Sequence, residues 1–144
     1  MKQNVPVAEI MTKELITLTL SSSLYDAEKL FKKHKIRHIP IVEEDKLIGV
    51  LSYSDLLKIS YADVLDDEDD FMDVSSVVYD MYSIRQVMAK VVVSALPTAT
   101  VKEVTEILSK QSFHSIPIVD EDNMLRGIVT TTDLLKYFLK QYSQ

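Results

Sequence analysis

Apolar positions along the chain alternate between two periods. Leu15-Ile16-Thr17-Leu18 and Val91-Val92-Val93-Ser94 are short β-rich runs and predict strands. Each is followed by a segment with apolar residues three and four apart. These are Leu24, Ala27, Leu30 and Phe31 in LYDAEKLFKKHK, and Val101, Val104, Ile107 and Leu108 in VKEVTEILSKQS. That spacing puts each set on one face of a helix. Ser23-x-x-Asp26 and Thr100-x-x-Glu103 stand just before them as capping boxes, which satisfy the first free helix N–H groups. Next come HIPIV and SIPIV, acidic turns (EEDK, DEDN) and the strands LIGVL and LRGIV, at hairpin length. A short last helix is expected from about Tyr53 and from about Thr131. Each half therefore reads strand, helix, strand, strand, helix.

The two halves are copies. Residues 11–42 align with 88–119 at an offset of 77 without a gap, so that Met11 meets Met88 and Ile39-Pro40-Ile41-Val42 meets Ile116-Pro117-Ile118-Val119. One extra residue near Asn123 moves the offset to 78. From there Gly49 meets Gly127 and Asp55-Leu56-Leu57-Lys58 meets Asp133-Leu134-Leu135-Lys136. The chain has two glycines in all, and both fall at this one repeat-equivalent position. Two copies argue for a pseudo-symmetric pair and against a solenoid. The boundaries read from the sequence are 1–60 for repeat one, 61–83 for an acidic linker and 84–144 for repeat two.

Composition narrows the function. At 144 residues and 47% apolar, the chain can bury a core of ordinary size. Its net charge of −6 comes largely from residues 63–73, which hold seven acids and no base; the remainder has 15 acids against 16 Lys and Arg. Neither half carries the basic face that a phosphate backbone requires, which disfavours nucleic acid as a partner. No apolar run reaches the length of a membrane span, the N-terminus has no signal-peptide pattern, and there is no cysteine. A cytoplasmic protein is expected. Like charges in the 61–83 stretch suggest a solvated loop, whereas its second half, VSSVVYDMYS, is apolar enough to pack. His34, His38 and His114 have no ligand-type neighbours at metal spacing. Two isolated glycines leave no room for a phosphate-binding glycine loop or a nucleophile elbow. No metal site and no catalysis are expected.

The residues Ile36-Arg37-His38-Ile39-Pro40-Ile41-Val42 with Gly49-Val50-Leu51-Ser52-Tyr53-Ser54-Asp55 resemble the CBS domain family. So do Phe113-His114-Ser115-Ile116-Pro117-Ile118-Val119 with Gly127-Ile128-Val129-Thr130-Thr131-Thr132-Asp133. The resemblance covers roughly residues 7–60 and 84–140. It implies an α/β (α+β) fold, two pseudo-symmetric β-α-β-β-α repeats packed through their sheets, and a homodimer of such modules. It also implies a regulatory role, with no obligatory cofactor, in which clefts between repeats hold AMP, ADP, ATP or S-adenosylmethionine.

That resemblance assigns candidate residues, each with a plainer alternative. Asp55 and Asp133 match the ribose-binding acid; Ser52, Ser54, Thr130 and Thr132 match the hydroxyls that contact ribose or phosphate. These residues lie where a strand ends and a helix begins, so free helix N–H groups are expected there for a phosphate. An ionised Asp can accept both hydroxyls of a ribose cis-diol. The same Ser/Thr-x-x-Asp pattern is equally a helix cap. Thr17 and Ser94, together with Ile39-Pro40 and Ile116-Pro117, match the adenine-binding positions. The alternative for the prolines is a protected edge strand. Arg37, His38 and His114 match phosphate-binding positions, where the second copy departs by having His114-Ser115. Lys58 and Lys136 assist a phosphate or simply suit a helix. The second copy lies closer to the family pattern. A protein-interaction or dimerisation module without nucleotide remains the alternative function. A loose basic partner or cation on the acidic linker is the lesser reading of that segment.

Overall fold

The computed structural model describes residues 4–64, 79–90, 92–112 and 114–143. After the first expected strand, its elements run in the expected order twice, as helix, strand, strand, helix. The first copy holds α1 (Leu24–His34), β1 (His38–Glu43), β2 (Lys46–Ser52) and α2 (Tyr53–Val64). After a short α3 (Ile84–Val87), the second holds α4 (Val101–Lys110), β3 (Ser115–Val119), β4 (Leu125–Thr130) and α5 (Thr131–Tyr142). Strand β1 pairs with β2 and β3 with β4, in two two-stranded sheets. Both predicted capping boxes close. Ser23 and Asp26 exchange N–H···O bonds of 2.9 and 3.1 Å, as do Thr100 and Glu103. The Ser23 N–H, donating to the Asp26 carboxylate, holds that carboxyl below the usual value of 3.8.

The strands expected over 15–18 and 91–94 do not form ladders. Each shrinks to one parallel bridge, Leu18 opposite Ile41 and Ala95 opposite Ile118; Val91 lies outside the described residues. Leu18 N–H donates to the Pro40 carbonyl at 3.1 Å, and Val42 N–H donates to the Leu18 carbonyl at 2.9 Å. Ala95 repeats this with Pro117 and Val119 at the same distances. The next rung of a parallel ladder would need an N–H at residue 40 or 117, and proline has none. Pairing stops there. The prolines are therefore not on a bare edge: both are buried, between a partner strand and a bridge.

The two hairpins turn differently. Glu44 (φ 50°) and Asp45 (φ 66°) give the paired positive φ of a two-residue type I′ turn. In the second hairpin Asn123 alone has positive φ, at 64°. Asp120 Oδ1 accepts from Asp122 N–H (2.9 Å) and Met124 N–H (3.0 Å), and Oδ2 accepts from Arg126 Nε at 2.8 Å. This longer loop contains the extra residue that moves the repeat offset. Those donors, Met124 N–H foremost, hold the Asp120 carboxyl below its usual 3.8.

The chain gathers into two compact units, Met1–Leu15 with Asp45–Leu47 and Val93–Gln144, and Ile16–Glu44 with Ile48–Val92. The first has a core of Val7, Val101, Val104, Ile116, Ile118, Val129 and Leu134. The core of the second includes Leu24, Phe31, Ile39, Ile41, Leu51, Leu56 and Ile84. Each such apolar side chain stabilises the fold by about 1.5–3 kcal/mol on full burial. Tyr79 belongs to the second core, where loss of solvent raises its hydroxyl to about 12. Helix α2 runs four residues into the stretch read as linker. Residues 65–78, with the acidic run 66–70, lie outside the described residues.

Within each unit a methionine-containing segment crosses the outer strand of the hairpin. Thr12 and Ile128 exchange N–H···O bonds of 2.8 and 3.0 Å; Ala89 and Val50 exchange bonds of 2.9 and 3.1 Å. The sequence repeat counts Met11-Thr12 with copy one and Met88-Ala89 with copy two. In space each crosses the hairpin from the other half of the chain. This crossing accounts for both glycines. A Cβ at Gly127 would stand 2.5 Å from Met11 Sδ, and one at Gly49 would stand 2.6 Å from Met88 Sδ and 2.9 Å from the Ala89 carbonyl oxygen.

Candidate functional site

Each hairpin passes from its last strand directly into a helix, and the candidate acids sit three residues past that junction. Thr130 N–H donates to Asp133 Oδ2 at 2.9 Å, and Asp133 N–H donates to Thr130 Oγ1 at 3.1 Å. Ser52 and Asp55 form the same reciprocal pair at 3.3 and 3.0 Å. Both helix starts are thus capped by their own residues.

The expectation of free helix N–H groups is corrected at four positions. Asp55 and Asp133 N–H are taken by the caps. Tyr53 N–H donates to the Arg37 carbonyl at 2.8 Å, and Thr131 N–H donates to the His114 carbonyl at 2.9 Å. The cause is local: Arg37 and His114 immediately precede β1 and β3, and each presents its carbonyl to the first residue of the following helix across the hairpin. What each site still offers is a half-buried carboxylate with lone pairs beyond those its cap uses.

The two sites differ at one contact. Thr12 Oγ1 donates to both carboxylate oxygens of Asp133, at 3.2 Å each. The residue equivalent to Thr12 at the offset of 77 is Ala89, which has no hydroxyl to offer Asp55. Thr12 was not among the sequence-derived candidates. The signal available was its place after Met11, in register with Ala89; that residue 12 crosses β4 beside Asp133 is a tertiary fact.

The remaining candidates are spread around these helix starts. Ser54 and Thr132 are exposed in the first turn of α2 and α5, and Lys58 and Lys136 are exposed one turn further on. Arg37 and His114 are exposed before β1 and β3, and His38, half-buried, opens β1. Thr17 and Ser94 stand one residue before the bridging Leu18 and Ala95. Ile39 and Ile116 are fully buried in the two cores, so their side chains are not available to a ligand. At Ile39-Pro40 and Ile116-Pro117, expected beside an adenine, the Pro40 and Pro117 carbonyls accept from the N–H groups of Leu18 and Ala95. Among the described residues no three His, Asp or Glu side chains are grouped as metal ligands, and no helix is long and apolar enough to cross a membrane.

Comparison with known proteins gives a consistent result. The CBS domain family matches residues 7–62 and 84–140. Inosine-5′-monophosphate dehydrogenase of Halalkalibacterium halodurans is 36% identical over 122 residues, covering 83% of this chain and 21% of that enzyme. The CBS domain pair of protein MJ0100, solved with 5′-methylthioadenosine and S-adenosyl-L-methionine, superposes with a TM-score of 0.75 at 27% identity, covering 96% of this chain and 99% of that one. The CBS-pair protein CBSX2 from Arabidopsis thaliana gives a TM-score of 0.84 over 99% of both chains at 22% identity, a likeness of fold. The chain spans less than half the length of the curated relatives it matches first, 48%, 44% and 21% of them.

Proposed function

Since this chain belongs to the CBS domain family, with two β-α-β-β-α repeats, we propose that it is a regulatory module that senses an adenosine-containing ligand and catalyses nothing itself. The repeats are taken as 1–60 and 84–144 around the 61–83 linker, in a cytoplasmic protein. The carrying observation is the Asp133 carboxylate, held in place by Thr130 N–H and Thr12 Oγ1 at a helix start. A ribose cis-diol presents two O–H donors to such a carboxylate, and a bond to a charged acceptor is worth about 1.5–3 kcal/mol. Asp55 offers the same group with a longer cap bond and no hydroxyl opposite, so repeat two is the better site. The MJ0100 pair supports the ligand class, because both molecules bound there carry an adenosine ribose. AMP, ADP and ATP share that ribose; Arg37 and His38 in repeat one and His114 in repeat two are the groups proposed to meet a phosphate. Ligand would act by favouring one arrangement of the module over another, to the extent that it binds the two unequally.

A second reading is an interaction module without nucleotide. It is favoured by the caps, which close both helix starts without a ligand. Thermal unfolding with millimolar AMP, ADP, ATP, S-adenosylmethionine, NAD and GTP separates the two. A ligand at 100 times its Kd adds about 2.7 kcal/mol, a shift of several degrees at this length. A shift with adenosine compounds and none with GTP supports sensing. No shift with any of them leaves the interaction module.

A further inference from the structure

Helix α1 ends in a strongly basic surface. Five of the chain's 16 Lys and Arg fall within residues 29–37, and no acid lies among them. Lys29, Lys32, Lys33, His34 and Lys35 are all exposed. Helical spacing puts Lys29, Lys32 and Lys33 on the outer side of α1, away from the buried Leu24, Ala27 and Phe31. Lys32 pairs with Glu28 at 2.7 Å, and Lys29 lies within electrostatic reach of Asp26 one turn back. Among the described residues no ion pair engages Lys33 or Lys35.

A helix end favours cations, because its last carbonyls are negative. The second repeat shows that the fold does not require so many. At the offset of 77, the places of Lys29, Lys32, Lys33, His34 and Lys35 are held by Glu106, Ser109, Lys110, Gln111 and Ser112. Helix α4 therefore ends on a single base, Lys110. Lys35 also takes a left-handed conformation, φ 53°, where glycine or asparagine is the usual residue. The basic group is a property of repeat one and not of the shared architecture.

Its chemistry selects among anions. No aromatic or large apolar side chain is exposed from residue 29 to residue 38, so a base has nothing to stack on and a bilayer has nothing to take up. Four of the five are lysines, hydrated point charges; the residue that forks onto a phosphate is arginine. Lys29 and Lys33 stand one turn apart, about 6 Å between side-chain roots. Alternate side chains of an extended peptide are ~6.8 Å apart, so two carboxylates of one segment match this pair.

We propose that the outer face of α1, from Lys29 to Lys35, docks an acidic segment of a partner protein. The proposal uses neither Asp55 nor Asp133 and is independent of the nucleotide reading. The test is fluorescence anisotropy of a labelled octaglutamate peptide titrated with the full chain, without nucleotide, at low and at physiological salt. The variants are Lys29→Gln/Lys33→Gln and, as the matched change in repeat two, Lys110→Gln. All three positions are exposed, so the variants should fold, which far-UV circular dichroism checks. Saturable binding that weakens with salt is expected. Affinity should fall about fivefold or more in Lys29→Gln/Lys33→Gln and hold in Lys110→Gln. No binding at low salt, wild-type affinity in the double variant, or an equal loss in Lys110→Gln overturns the proposal. Tighter binding of a single-stranded DNA oligonucleotide or of phosphatidylserine vesicles than of the peptide overturns it too.

Discussion

Gly127 lies so close beneath Met11 that a methyl group added to it would stand 2.5 Å from the thioether sulfur. Gly49 lies beneath Met88 in the same way, and a backbone carbonyl also faces each added carbon, that of Ala89 at 2.9 Å from Gly49 and that of Thr12 at 3.1 Å from Gly127. A methionine tip can swing aside, whereas a carbonyl held by a bridge to Val50 cannot. Gly49→Ala and Gly127→Ala are therefore each expected to cost about 1–3 kcal/mol, the former more because its carbonyl is the closer, read from urea unfolding. Equal and negligible losses would mean that the crossing segments do not set the glycines.

That pair of contacts marks the limit of what the residue pattern reveals. The repeat, the helix faces and the capping boxes were legible because each depends on neighbours a few positions apart. Leu24, Ala27 and Phe31 are buried as their spacing predicts. The glycines were visible as a repeated oddity, but their cause was not, since Met11 and Gly127 are brought together only by the crossing of distant segments. The contact from Thr12 to Asp133 was hidden for the same reason. β-rich composition predicts the early strands, but it does not show that Pro40 and Pro117 end the pairing at Leu18 and Ala95, a contact between distant segments.

The first hairpin holds two residues with side chains at positive φ, Glu44 and Asp45. Asn-Gly suits a type I′ turn without that strain. The double variant Glu44→Asn/Asp45→Gly should stabilise the protein by about 1 kcal/mol. A fall in stability on chemical unfolding would contradict the turn assignment.

Acid should weaken two local ties. Asp26 and Asp120 have folded pKa values below the ordinary 3.8, because backbone N–H groups and, for Asp120, Arg126 favour the ionised form. The stabilisation is complete above that ordinary value and is lost as pH falls through the lowered folded one. Thermal midpoints should therefore drop across the acid range below 3.8, and the drop should be shallower in Asp26→Asn/Asp120→Asn. An identical slope in the variant would assign acid sensitivity to other carboxylates.

Alkali provides a separate probe of the second core. Tyr79, pushed up to about 12 by burial, should ionise well above the ordinary tyrosine value of 10.0. Its folded pKa lies above the ordinary 10.0, so the stabilisation is complete below 10.0 and is lost as pH rises through about 12. Tyrosinate absorbance followed with pH should lose its highest step in Tyr79→Phe. Persistence of that step would place the slow group elsewhere.

Binding of an adenosine ligand at Asp133 is tested most directly by isothermal titration of S-adenosylmethionine into the wild type, Asp133→Asn and Asp55→Asn. Asparagine keeps a carbonyl oxygen to accept Thr130 N–H, so the cap and the fold should survive while the charged diol acceptor is lost. The account predicts saturable binding to the wild type. Affinity should fall about tenfold or more in Asp133→Asn and change less in Asp55→Asn. Wild-type affinity retained in Asp133→Asn, or no binding of any adenosine compound to the wild type, would contradict it.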